Sequence, residues 1–239
     1  MASRPKSYWN GIFHNKSAFF RYNSNTVKRL SLLLTLLLTT SLACSFANLA
    51  ETLVPSGNVL YQDIFSNPES GWGQLEAPAG TAGYLNGAYR FVVTEPNVNL
   101  WSHPGVEFTN LHAEVSLMTP NGPFSNRMGL VCRLQDDQNF YFFVISADGY
   151  WGIGKMKAGQ TSLLTGDQLQ PHDAILTGPQ INRLRADCLG NTLLFYVNNV
   201  LVGSATDTDF TSGDVGLLAG SFDEPGSEIY FDNFVVYKP

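Results

Sequence analysis

From Tyr61 onward this chain is a succession of short runs in which apolar and polar residues alternate, each closed by a turn signal, and no stretch keeps a helical repeat. A period of two puts successive side chains on opposite faces of a strand, so each run offers one face to a core and the other to solvent. The clearest runs span 87–93, 112–118, 128–134, 139–146, 150–156, 182–188, 192–198, 215–220 and 228–237. Between them stand Asp136-Asp137, Asp148-Gly149, Gly190-Asn191, Asn198-Asn199 and Ser212-Gly213, pairs that favour tight turns. Strands at this spacing predict an all-β sandwich or barrel. The 160–181 stretch, with Gly, Thr, Gln and two prolines, is expected to be a long loop crossing between sheets.

The alternation also assigns faces. Leu130, Cys132 and Leu134 share one side of their strand, opposite Val131 and Arg133. Leu184, Ala186 and Cys188 oppose Arg183, Arg185 and Asp187; Leu193, Phe195 and Val197 oppose Leu194, Tyr196 and Asn198. Unpaired Arg and Asp are not tolerated in a dry core. The first set on each strand is therefore expected inside, and the second set on an outer face carrying Arg133, Phe142, Arg185 and Tyr196. Phe143 belongs with the inner set.

The N-terminal part obeys different rules. Lys28 and Arg29 precede a run of mostly Leu and Thr that ends in small residues before Cys44. A positive end, a short apolar core and a small-residue cleavage site make a secretory signal. The run is shorter than the ~20 apolar residues of a comfortable membrane span. Ser41-Leu42-Ala43-Cys44 resembles a bacterial lipobox, with Ser41 where the pattern wants Leu, and this implies lipidation of Cys44. The expected organisation is an extension and signal peptide over 1–43, a tether over 44–58 and one β-sandwich domain over 59–239. The product would be exported, and touch membrane through its lipid anchor only. In that compartment the remaining two cysteines, Cys132 and Cys188, are candidates for a disulfide; two separate buried thiols are the alternative.

Charge narrows the partners. Six of the 14 basic residues and none of the 20 acidic ones precede Cys44, so the remainder carries 8 basic against 20 acidic residues, a formal −12. A domain this acidic repels nucleic acid and anionic lipid, and neither is expected as a partner.

The run GLVCRLQDDQNFYFFVISADGYWGIGK, then NRLRADCLGNTLLFYVNN, GDVGLLAG and EIYFDNFVVY, resembles concanavalin A-like jelly-roll domains. More narrowly, it is similar to the laminin-G-like and 3-keto-disaccharide hydrolase-like domains of bacterial lipoproteins. The resemblance covers about residues 60–238. It implies two antiparallel sheets, one concave, with ligands met on the concave face or its rim loops. It does not choose among lectin, glycosidase and adhesion module, because one fold hosts all three.

The choice among these rests on the chemistry that the residues can supply. Glycoside hydrolysis needs two carboxylates placed across the bond. No Glu-x-Asp-x-x-Glu string of the laminarinase-like branch occurs, and the nearest acid pairs, Asp136-Asp137 and Asp223-Glu224, fall in turns. No Gly-x-Ser-x-Gly is present, and His103, His112 and His172 lack metal-ligand spacing. The Gly149 to Lys155 string mimics a phosphate loop, but Met156 follows where Ser or Thr is required. No cofactor is expected, apart from calcium held by Asp63 and Asp232 or by the Asp207, Asp209 and Asp214 loop; capping of turns by these acids is the alternative. Sugar binding needs aromatic faces and planar polar groups. The candidates are Trp101, Tyr150 and Trp151 at loops and hairpins, with Arg133, Phe142, Arg185 and Tyr196 on the outer face. The expected function is a noncatalytic, surface-anchored carbohydrate-binding or adhesion module. The alternatives are a glycoside hydrolase acting on glycosides or 3-keto-glycosides, and a structural domain of an envelope complex.

Overall fold

A computed structural model of the chain describes residues 58–239. The expected lipidation site, Cys44, and the signal segment lie outside the described residues. Seventeen strands and no helix make up the described part. They are β1 (Val59–Asp63), β2 (Leu75–Ala77), β3 (Gly80–Leu85), β4 (Ala88–Val93), β5 (Asn99–Ser102), β6 (Glu107–Phe108), β7 (Leu111–Asn121), β8 (Asn126–Asp136), β9 (Asn139–Ile145), β10 (Tyr150–Lys157), β11 (Gln160–Leu163), β12 (Gln170–Pro171), β13 (Asn182–Leu189), β14 (Thr192–Val197), β15 (Val200–Thr206), β16 (Gly213–Ser221) and β17 (Ser227–Tyr237).

Two antiparallel sheets form the sandwich. The first runs β15-β14-β13-β7-β17-β4-β3-β2, with β1 also paired to β17; the second runs β11-β10-β9-β8-β16-β5, with β12 on β10 and β6 on β16. Turn chemistry sets the hairpins: Asn198 and Asn199 take positive φ of 50° and 67° between β14 and β15, a conformation Asn tolerates better than most residues. The 160–181 stretch is more than a crossing loop. It first adds β11 and β12 to the β10 edge and only then passes to β13 in the other sheet.

Between the sheets lies a core in which Leu130, Phe143, Leu184, Phe195 and Val197 are fully buried. The inner parity read from the alternation is thus the parity of the fold at these positions. It fails at the end of β8. There the pairing with β9 slips between Cys132 and Asp136, and Arg133 adopts φ of 52°. This bulge turns Leu134 out of the inner set and into an apolar cluster on the outer face of the second sheet, with Val131 and Phe142.

Arg133 consequently does not stand on an outer face; it is 1% exposed. Its Nη1 donates to Gly190 O at 2.7 Å and Phe210 O at 2.8 Å, and its Nε and Nη2 to Thr109 O at 3.2 and 3.1 Å. Next to it Cys132 of β8 is disulfide-bonded to Cys188 of β13, joining the two sheets. The same end is held by Tyr141, whose hydroxyl bonds Asp207 and accepts from Phe210 N, and by Lys155, which pairs with Asp207 and Asp209.

Replacing Arg133 by Met keeps the length of the side chain but leaves three inward carbonyls without their donor. At ~1 kcal/mol or more for each group left unpaired, the loss in a urea melt should be about 3 kcal/mol or more. A loss below about 1 kcal/mol would show that water replaces the guanidinium.

The ion cluster makes a pH prediction. Burial raises the pKa of Asp207, but Lys155 and the Asp209 amide outweigh it and the net shift is down; Asp209 is lowered by Lys155 and Lys157. Carboxylates depressed in the folded state contribute stability above the unfolded pKa of ~4, and that contribution is lost as pH falls through the folded value. The Tm difference between the wild type and Lys155→Met should therefore be largest near neutrality and shrink in acid. A difference that stays constant down to about pH 2 would sever Lys155 from these acids.

Candidate functional site

The outer face of the second sheet is unusual in its glycines. Across it, Trp101, Leu218, Gly129, Val144 and Gly152 stand side by side on five strands, and the next row is Gly216, Val131, Phe142 and Gly154. Glycine here lets large side chains lie on the backbone. A Cβ on Gly154 would stand 2.3 Å from Cζ of Phe142, and one on Gly152 would stand 2.5 Å from Cδ2 of Leu169 and 3.2 Å from Cδ2 of Leu163. The Phe142 ring thus covers β10, and the segment after β10 folds its leucines over the same strand.

The result is a cavity of about 520 Å³. Phe140, Phe142, Val144 and Leu218 line it from the sheet, and Leu163, Asp167, Gln168 and Leu169 from the segment around β11. Its polar rim is Asn99, Ser125, Arg127, Ser146, Asp148 and Tyr150, with Phe222 beside it. Tyr150 is the exposed aromatic of the group, at 41%. Asp148 accepts from the Ser146 hydroxyl, and that hydroxyl in turn accepts from Tyr150 N at 3.2 Å. Arg127 lies over the Phe222 ring, 4.4 Å from its centroid, and donates through Nη2 to Ser221 O. Burial pushes its pKa below the usual arginine value.

The sequence-predicted residues divide into three groups. Phe142 and Tyr150 line the cavity. Trp101 stands on the same face, packed on Phe140 at 5.4 Å between centroids and donating to Asp137 at 3.1 Å. Arg133 and Trp151 are inside: Trp151 is 8% exposed and packs on Phe195, with its ring so close to Gly203 that a Cβ there would meet it at 1.8 Å. Arg185 and Tyr196 do face outward, but from the first sheet, on the opposite side of the sandwich. There Arg185 stacks on Tyr196 at 4.9 Å, and its Nε and Nη2 bond Asp187 at 2.7 and 2.8 Å; His112 Nδ1 also stands 2.7 Å from that carboxylate. The hydrogen bond to Asp187 raises the Arg185 pKa. The expected single outer face therefore does not exist as one surface.

The acids expected to hold calcium stand in different surroundings. Asp63 faces inward with Tyr61, its Oδ1 accepting from Phe65 N at 2.7 Å, while Asp232 alternates outward with Glu228 and Tyr230. Asp207 and Asp209 are taken by lysines, and Asp214 by His103 and the Gly105 and Val106 amides. Among the described residues no group of three or more His, Cys, Asp or Glu could hold a metal ion.

The sequence reading missed Asn99, Arg127 and Phe222. A signal for this face was present in the alternate glycines Gly152 and Gly154, which mark close approach of something to the outer side of a strand.

Neither a protein-family model nor a curated protein matches the sequence. Solved structures do match the fold. The carbohydrate binding module CBM66 from Bacillus subtilis superposes with a TM-score of 0.57 at 18% identity, over 71% of this chain and 96% of its own. A Bacillus subtilis protein described as galectin-like in fold gives 0.55 at 10% identity, over 76% and 96%. The β-glucanase of Bacillus licheniformis gives 0.53 at 15% identity, over 77% and 99%. The fold is the concanavalin A-like jelly-roll sandwich.

Proposed function

We propose that the outer face of the second sheet binds carbohydrate, without cleaving it, and that the chain is an exported binding or adhesion module held at the cell envelope by a lipid on Cys44. The observation that carries the reading is the cavity: aromatic rings at its floor and rim, with planar polar groups from Asn99, Arg127 and Gln168 around them. Sugars are held by stacking of their C–H faces on such rings and by hydrogen bonds from fixed polar groups. The fold neighbours lend support, since two of them are named as a carbohydrate binding module and a β-glucanase.

Hydrolysis is the second reading, favoured by two carboxylates, Asp148 and Asp167, in the cavity wall. A hydrolase needs one carboxyl free to give a proton and a second to attack or to activate water. Here Asp148 accepts from Ser146 at a hairpin turn, and Asp167 comes from a separate loop, which favours binding over cleavage.

A glycan array probed with the chain should give a ligand whose binding weakens by about 1–3 kcal/mol in Tyr150→Ala, the loss of a stacking residue at a hot spot. Turnover of that glycan, abolished in Asp148→Asn or Asp167→Asn, would put the hydrolase in its place. The anchor has its own test. The basic, apolar and small-residue order before Cys44 predicts a diacylglyceryl cysteine at the mature N-terminus by mass spectrometry, and release of the protein from membranes by Cys44→Ser. A wild-type chain recovered in solution and cleaved elsewhere would remove the lipid.

A further inference from the structure

Arg127 differs from the other four arginines among the described residues. Arg185 has Asp187, Arg183 has Glu114, Arg90 has Glu228, and Arg133 has three carbonyls. Arg127 has one backbone carbonyl and a ring, and no carboxylate among the described residues lies within ion-pair distance of it. Its Nε is buried and makes no hydrogen bond. So is Oδ1 of Asn99, on the neighbouring strand but one. The two side chains meet over Gly220, which pairs with both residues: a Cβ there would stand 2.3 Å from Asn99 Oδ1 and 3.3 Å from Arg127 Nε. Both residues line the cavity.

A buried donor left unpaired is costly, and a half-buried cation without a counter-charge adds to that cost. Burial also pushes the Arg127 pKa down. The cost is recovered when a ligand brings the anion. The Asn99 amide beside it lines the cavity and offers a planar polar group to a neighbouring hydroxyl, so the pair is matched to an anionic substituent beside a hydroxyl. The apolar floor of Val144, Leu163 and Leu218 then excludes water from the contact.

We propose that Arg127 and Asn99 form a subsite for an acidic sugar, with its carboxylate or sulfate on the Arg127 guanidinium and a neighbouring hydroxyl on the Asn99 side-chain amide. This rests on the carbohydrate reading of the cavity, and the experiment separates the two. Binding of the full chain to a neutral oligosaccharide carrying one glucuronate is compared with binding to the same oligosaccharide after reduction of that carboxylate to an alcohol. A second measurement follows the Nε–H signal of Arg127 by NMR, assigned with Arg127→Lys, during titration with glucuronate, glucose and inorganic sulfate.

The expected result is a preference for the acidic form of about ten-fold or more, as for a charge-assisted hydrogen bond, with the ratio falling towards one in Arg127→Gln. Glucuronate and sulfate should move the Nε–H signal and glucose should not. Equal binding of the acidic and reduced oligosaccharides, with no movement of the signal, overturns the subsite and leaves the carbohydrate reading standing. Movement by both anions without binding of either oligosaccharide keeps an anion site at Arg127 and brings down the carbohydrate reading. A signal unmoved by either anion, with no oligosaccharide bound, brings down both.

Discussion

The guanidinium of Arg133, buried at the end of the sandwich, is the contact on which the rest of the architecture depends. It gathers carbonyls from the loop before β7, the β13–β14 turn and the loop before β16. These segments flank strands of both sheets. A single planar cation with a fixed fork of donors can satisfy acceptors from several directions at once, which no neutral side chain of that length does. The disulfide beside it closes a 56-residue separation between the sheets. In the chain-entropy view such a link disfavours the unfolded state by roughly 4 kcal/mol. The cation and the covalent link thus fix one end of the sandwich together.

That end also shapes the far side of the second sheet. Reaching inward obliges Arg133 to take a left-handed conformation, at a cost of roughly 1–2 kcal/mol for a residue with a Cβ. The extra residue shifts the alternation by one, and Leu134 emerges on the outer face to join Val131, Phe140 and Leu218. Part of the apolar surface beside the cavity is therefore a by-product of a bulge made for the core. The glycines of β10 complete the face from the other edge by admitting Phe142 and two leucines against the backbone.

What could be read from the sequence follows from what alternation encodes. It encodes in or out for an unbroken strand, and so Leu130, Phe195 and Val197 were legible as core. It encodes nothing about which sheet an outward residue belongs to. Phe142 and Tyr196 share a parity and stand on opposite sides of the molecule. Arg133 was misplaced because the bulge there, one residue relative to β16, reverses parity without any mark in composition. Trp151 was misplaced because no inner face was assigned to the 150–156 run, although Trp151 shares the parity of Ile153 and both are buried. Arg127 and Asn99 are two strands apart and meet only through β16. Long-range pairing of that kind is a property of topology, and no local pattern contains it.

One wall of the cavity, residues 160–171, pairs only with the edge strand β10. None of the fully buried inner residues comes from this segment, which meets the core through the partly buried Leu164. Change in the segment is thus separated from change in the scaffold. Apart from the leucines that pack on the core and on Gly152, its length and side chains can change with little effect on the scaffold, so the shape of the cavity wall is set separately from the stability of the sandwich. The strand that receives the segment, with its glycines, is the part that must stay intact.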